Sequence, residues 1–317
     1  MLDALLIIAG LAGLFAGGEA LVRGASRLAL ATGLSPAVVG LTVVAAGTSM
    51  PELAVSVDAA LKGSPDLALG NVVGSNIYNV LLILGVAAVI RACRLQGQTV
   101  RLEWPVMVGA ALLLFGLAWD GSLGRGDGAV LAAGLVGFTV WLIRLARRAS
   151  PSTLEQLDAE AVPTPGRWWV AMLQVIGGTL LLVAAGKSLI TGATSIAAQA
   201  GVPERVVGLT LVAVGTSLPE LATSAIASWR GNDDVAVGNV VGSNIFNVLG
   251  ILGLTALVHP LDVGSTVLRV DLPLMVAVSL GFFLVIWPGW RIPRWKGAAL
   301  LAAAAAYTAV LASTVTG

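Results

Sequence analysis

Histidine and cysteine are almost missing from this chain of 317 residues, which has one of each, His259 and Cys93. That excludes a disulfide framework, a thiolate cluster and a multi-histidine zinc site. Charge is scarce as well. Charged residues make up 11% of the chain, against about 25% in an ordinary soluble protein. Eighteen basic and seventeen acidic residues leave a net charge of +1. No global field is available to steer a nucleic acid or another polyanion. The remainder is apolar: 57% of the residues, with a mean hydropathy of +0.93. This excludes a soluble globular enzyme and a disordered chain, and is the composition of a polytopic membrane protein with short loops. The longest strongly polar stretch, Arg144 to Arg167, leaves no room for a sizeable soluble domain. No basic residue precedes the apolar run that begins at Leu5. A first spanning helix is therefore expected there rather than a cleaved signal peptide.

A spanning helix takes roughly 20 apolar residues. Ten stretches qualify, at about 3–31, 36–61, 66–90, 102–119, 128–148, 167–200, 203–229, 234–258, 269–288 and 295–315. The predicted fold class is all-α, with ten transmembrane helices. Trp104, Trp119, Trp168, Trp169, Trp229, Trp287, Trp290 and Trp295 fall near proposed helix ends, where an aromatic belt meets the headgroups. With the N-terminus outside, eleven loop Lys and Arg residues are cytoplasmic, among them Arg91, Arg94, Arg230, Arg291 and Arg294. Four, Lys62, Arg125, Arg205 and Arg269, are then outside. The positive-inside rule thus predicts both termini outside.

The chain repeats itself. Residues 38–88 match residues 206–256 at a constant offset of 168, with 34 identities in 51 positions and no gap. Similarity by apolar composition alone does not explain this, because the polar letters match best: GTS-x-PEL and GNVVGSNI-x-NV recur in both copies. Five helices separate equivalent positions, so the copies enter the membrane in opposite directions. The domains expected are a first five-helix half, 1–148, a short cytoplasmic linker, 149–166, and a second half, 167–317. Inverted repeats of this kind are typical of secondary transporters, with the site at their interface.

Within GTSMPE, Pro51 has no N–H to give the carbonyl of Gly47, so the helix should kink or unwind and free carbonyls around Ala45–Gly47. Broken backbone at membrane depth is tolerated where it lines a cavity or is buried in protein. Thr48 and Ser49 share a face with Glu52, and Pro219 arranges Ala213, Thr216, Ser217 and Glu220 alike. Ser75 and Asn79 stand four apart on the next helix, as do Ser243 and Asn247. Crossing these helices gathers two carboxylates, six hydroxyls and two amides. All the donors are oxygen, which is hard-cation chemistry for calcium or sodium. The bland alternative, protonated glutamates acting as glue between helices, gives no reason for two symmetric copies of a charge so costly in a membrane. Ser56 and Ser224 are expected only to bond back to their own backbone. Gly70, Gly74, Gly238 and Gly242 should let helices approach closely.

The paired GTS-x-PEL and GSNI-x-N segments resemble the two alpha-repeats of the cation/calcium exchanger superfamily, nearest to its prokaryotic sodium/calcium exchangers. The resemblance implies antiport of calcium against sodium across a prokaryotic plasma membrane by alternating access. It also implies that the first and sixth helices slide against an eight-helix core. Carried over residue by residue, it assigns ion ligands to Thr48, Ser49, Glu52, Ser75 and Asn79, and to Thr216, Ser217, Glu220, Ser243 and Asn247. Backbone carbonyls are added from Ala45 and Ala213. Many relatives carry an aspartate where this chain has Asn247, so two carboxylates remain rather than three. That leaves the proton as an alternative counter-ion. No resident cofactor, nucleic-acid partner or calcium-sensing domain is expected, and a monomer suffices.

An intramembrane hydrolase is the reading from another class. No histidine or lysine base lies near a motif serine, and His259 sits at a helix end. Glu19 and Lys187, also 168 apart, either pair across the pseudo-two-fold or each reach their own interface. Asp233 and Asp234 suit a helix N-terminus.

Overall fold

The computed structural model describes residues 2–95, 97–148, 168–199 and 213–316. The predicted linker 149–166 and the opening of the second repeat, 206–212, lie outside the described residues. The elements are α1 (Leu2–Thr32), α2 (Pro36–Thr48), α3 (Met50–Leu61), α4 (Pro65–Ile90), α5 (Thr99–Asp120) and α6 (Arg125–Arg148). They continue with α7 (Trp168–Gln199), α8 (Ala213–Thr216), α9 (Leu218–Trp229), α10 (Asp233–Val258), α11 (Val267–Ile286) and α12 (Arg294–Thr316). Among the described residues, seven helices are long and apolar enough to cross a membrane, or eight if α2 and α3 form one span.

Prolines set many of the starts. Pro36, Pro51, Pro65 and Pro219 occupy the first or second position of α2, α3, α4 and α9, where proline is tolerated because its N–H is not needed by a preceding turn of the same helix. Ser35 caps α2 by accepting the Val38 N–H at 3.3 Å. The kink expected from Pro51 is present: α2 and α3 meet at Ser49 with a bend of 44°. The Ala45 carbonyl is not freed by it. It accepts the Ser49 N–H at 3.1 Å and the Thr48 hydroxyl at 3.3 Å. The reason is register, since proline at 51 deprives the carbonyl four residues back, at Gly47, and leaves Ala45 its donor.

The helices α1 and α7 lie side by side along most of their length. A Cβ at Gly17 would stand 3.0 Å from the Gly178 carbonyl, and one at Gly24 would stand 3.0 Å from that of Ala171. Leu21, Ala25, Val175 and Leu182 form an apolar cluster there, separate from the larger core. That core is built largely on α4 and α10, with Leu69, Val72 and Ile77 in one cluster with Val240, Ile245 and Leu252. Gly238 and Gly242 touch the backbone of Ala37 and Leu41, the close approach expected of them. For Gly70 and Gly74, no described atom lies within 4 Å of an added Cβ.

Two short antiparallel ladders close the ends. In one, β1 (Cys93–Arg94) pairs with β4 (Arg291–Ile292); in the other, β2 (Ser122–Leu123) pairs with β3 (Leu261–Asp262). The strands β1 and β3 are 168 residues apart, so the repeat extends beyond the motifs. Cys93 is buried, and burial first, then the Asp233 charge, pushes its thiol up to about 12.

Candidate functional site: a buried centre of paired hydrogen bonds

The motif residues meet where α2, α3 and α4 cross α9 and α10. Thr48, Ser49, Glu52, Ser75, Asn79, Thr216, Ser217, Glu220, Ser243 and Asn247 are all buried. Their hydrogen bonds come in pairs related by the 168-residue offset. Ser49 donates to Glu220 Oε1 at 2.9 Å, and Ser217 donates to Glu52 Oε1 at 3.1 Å. Each glutamate is thus held by a serine from the other repeat. Ser75 and Ser217 share a further bond at 3.1 Å.

Four asparagines that sequence reasoning passed over supply the scaffold. Asn71 donates to the Glu52 carbonyl at 3.1 Å and to Ser56 at 2.9 Å; Asn239 donates to the Glu220 carbonyl at 3.3 Å and to Ser224 at 3.0 Å. These bonds fix the backbone that carries each carboxylate. Thr48 donates to Asn239 Oδ1 at 3.2 Å, and Thr216 to Asn71 Oδ1 at 3.4 Å. Asn76 and Asn244 exchange bonds with each other's backbone carbonyl, both at 3.3 Å. Their own side-chain oxygens accept the amides of Asn247 and Asn79, both at 2.9 Å. The available signal was their identity at the 168 offset within GNVVGSNI. Ser56 and Ser224 reach across to the carbonyls of Ala68 and Ala236. They bridge helices rather than bonding back to their own turn, because a neighbouring helix starts within reach.

The electrostatic outcome is specific. With both amide NH2 groups committed, Oδ1 of Asn79 and of Asn247 is left without a donor, as are Oε2 of Glu52, Oε2 of Glu220 and Oγ of Ser243. All five are buried oxygens, and all five belong to the expected ligand set. Leaving a buried acceptor unpaired costs about 1–3 kcal/mol, more for a charged one. A hard cation offers the compensation, because it coordinates oxygen alone and tolerates irregular geometry. Among the described residues there is no cluster of three or more His, Cys, Asp or Glu side chains, consistent with two carboxylates here. Asn247 faces the same centre as Asn79 and contributes an oxygen without a charge.

Of the two alternatives for Glu19 and Lys187, the pairing is not formed. The Glu19 carboxylate takes Arg230 at 2.5 Å and Arg23 at 2.5 Å, while Lys187 is exposed. Glu19 sits on the side of α1 that faces the end of α9, so the nearer cations claim it. This ion pair ties α1 to α9. His259 is exposed just past the end of α10 and bonded to the Pro260 carbonyl, whereas the motif serines are buried.

Apolar helices enclosing an uncompensated, oxygen-built polar centre define a class, the membrane transport protein. The family follows from comparison. The family model described as "Sodium/calcium exchanger protein" matches residues 2–144 and 170–312, and the chain belongs to that family. It is 37% identical to the putative antiporter CaxA of Alkalimonas amylolytica, over 97% of this chain and 98% of that protein. It is 32% identical to the sodium/calcium exchanger MaX1 of Methanosarcina acetivorans, over 97% of each. A solved structure of the sodium-calcium exchanger NCX_Mj superposes with a TM-score of 0.82 at 28% identity, over 95% of each chain. The resemblance expected from the repeats therefore holds, and the chain is an integral membrane protein of an antiporter family rather than of a family of catalytic enzymes.

Proposed function

We propose that this chain exchanges calcium for sodium across a prokaryotic plasma membrane by alternating access. Ten spans in two inverted halves, 1–148 and 167–317, joined by 149–166, carry the centre, with both termini outside. The ligands are the side chains of Thr48, Ser49, Glu52, Ser75 and Asn79 with Thr216, Ser217, Glu220, Ser243 and Asn247. The carbonyls of Ala45 and Ala213 join only when the helical bonds of that turn open. The observation that carries this reading is the set of five donor-free oxygens gathered from both repeats.

The chemistry follows from charge. One calcium neutralises two carboxylates, and so do two sodium ions, which makes the two loads exchangeable in one centre. A third sodium would sit as an excess positive charge in a low-dielectric surround. The long packing of α1 along α7 suits a pair of helices that moves as a unit, with Val39 and Val44 of α2 on the apolar face against which it would slide.

The proton is a second counter-ion to weigh, because an asparagine at 247 leaves only the two glutamates and either can carry a proton. The test is calcium uptake by reconstituted vesicles under an outward sodium gradient, compared with a pH gradient of equal size. Sodium-driven uptake supports the exchange proposed. Uptake driven by the pH gradient and indifferent to sodium overturns it in favour of calcium/proton antiport.

A further inference from the structure

Away from the polar centre, a cavity of about 560 Å³ opens at one end of the helices, lined by Arg91, Ala92, Arg94, Asp233, Arg291 and Arg294. Four arginines line it beside one carboxylate, that of Asp233. One oxygen of that carboxylate accepts the Arg94 backbone N–H at 3.0 Å, and the other has no hydrogen-bond partner. Among the described residues, none of the four arginines has a carboxylate within salt-bridge distance.

The arginines are built into this place. Arg94 and Arg291 are direct partners across the β1–β4 ladder, where like charges oppose each other and destabilise the pairing. Arg294 is held by the Ile90 carbonyl at 2.8 Å. Gly231, at φ +79°, leaves room that a Cβ would take from the Arg91 guanidinium. The fold does not require these charges. The positions 168 residues away hold His259, Asp262, Leu123 and Gly126, and in the second ladder Ser122 faces Asp262. Arginines serving only as topology signals need lie on one side of the membrane; they need not converge on one concavity.

The depth of the cavity indicates its ligand. Trp229, Trp287 and Trp295 are exposed on the chain segments that flank it, and exposed tryptophans mark the headgroup level. Guanidinium forks match phosphate oxygens two at a time. We propose that this cavity binds the phosphate of an anionic phospholipid headgroup, bridging Arg94 and Arg291. Its location in the cytoplasmic leaflet, the more anionic one, rests on the orientation proposed above; the chemistry of the cavity does not.

The test reads lipid retention in detergent, where neither membrane orientation nor transport plays a part. Native mass spectrometry follows phosphatidylglycerol and phosphatidylcholine on the purified protein. The wild type should retain one phosphatidylglycerol in preference to phosphatidylcholine. Each arginine near an anionic surface contributes about fivefold, so R94Q/R291Q should retain it about 25-fold more weakly. R94K/R291K, which keeps the charge, should recover part of the loss, and thermal melting checks that both variants fold. Arg144 lies on the same proposed side but outside the cavity, so R144Q should retain lipid like the wild type. An equal loss in R144Q, or no preference for phosphatidylglycerol in the wild type, overturns the proposal. Displacement of the lipid by millimolar inorganic phosphate would overturn the lipid as occupant and assign a soluble phosphate instead.

Discussion

Replacing Glu220 with glutamine removes one of two carboxylates from the centre while conserving its shape. The side chain is 1% exposed, and its Oε1 already accepts from Ser49 at 2.9 Å. Glutamine retains that acceptor and sets an NH2 where the donor-free Oε2 stood, aiming two N–H groups at the ion position. Folding should survive, because the Ser49 bond and the Asn239 bond to the Glu220 carbonyl remain. The centre's formal charge falls from −2 to −1, so a bound calcium is left with an unmatched positive charge. Removing one partner of a buried charge pairing costs about 3–5 kcal/mol, which is about two to three and a half powers of ten in Kd. Calcium titration of the purified protein by calorimetry measures this directly, with thermal melting as the folding check. A folded Glu220→Gln protein whose Kd rises by less than about fivefold would refute the reasoning, because the carboxylate would then not face the ion. Glu52→Gln should behave alike, since Ser217 plays the part of Ser49.

Asn247→Asp adds a carboxylate beside the same ions and should raise cation affinity and steepen the pH dependence of flux; unchanged sodium and pH profiles would remove Asn247 from the site. Asn76→Ala frees the amide of Asn247 to turn, and should weaken calcium binding by about 1–3 kcal/mol. Asn247→Ala in the same background then adds less than it does alone, read as a double-mutant cycle. Protons compete with cations for Glu52 and Glu220, so exchange should be intact at alkaline pH and fall as the pH drops; a flux flat from about pH 8 to about pH 5 would exclude that competition. Lys187→Ala should leave the melting temperature and flux close to wild type, within about 0.5 kcal/mol of stability. Arg230→Gln, by contrast, should alter exchange rate at unchanged calcium affinity, because it unties α1 from α9.

The polar centre was legible in the sequence to the extent that it repeats. GTS-x-PEL twice over is a covalent statement of a two-fold arrangement, and the kink at Pro51 follows from one missing N–H. What the letters could not convey is which group holds which. Asn76 and Asn244 are as constant between the repeats as Asn79 and Asn247, yet their task is to turn the amides of the other pair. That distinction depends on the angle at which two helices cross. Glu19 shows a choice that the letters left open. Its mate by sequence symmetry is Lys187, but its partners are Arg23 and Arg230, since a salt bridge is decided by which charge stands nearest after folding. Likewise, counting basic residues places Arg91, Arg94, Arg291 and Arg294 on one side of a membrane without bringing them around one cavity.

Exchange residue n for n + 168 and the bonds at the centre largely map onto themselves: serine to the opposite glutamate, asparagine to the opposite carbonyl. A cation arriving through either half of the molecule would therefore meet nearly the same order of oxygens, and would leave past nearly the same. Such a device has no built-in valve. In the exchange proposed, one calcium for two sodium ions moves no net charge, so direction would come from the concentrations on the two sides, and reversing those gradients should reverse the flow through the same residues at comparable speed. Any rectification must then originate at the ends, where the two halves no longer match.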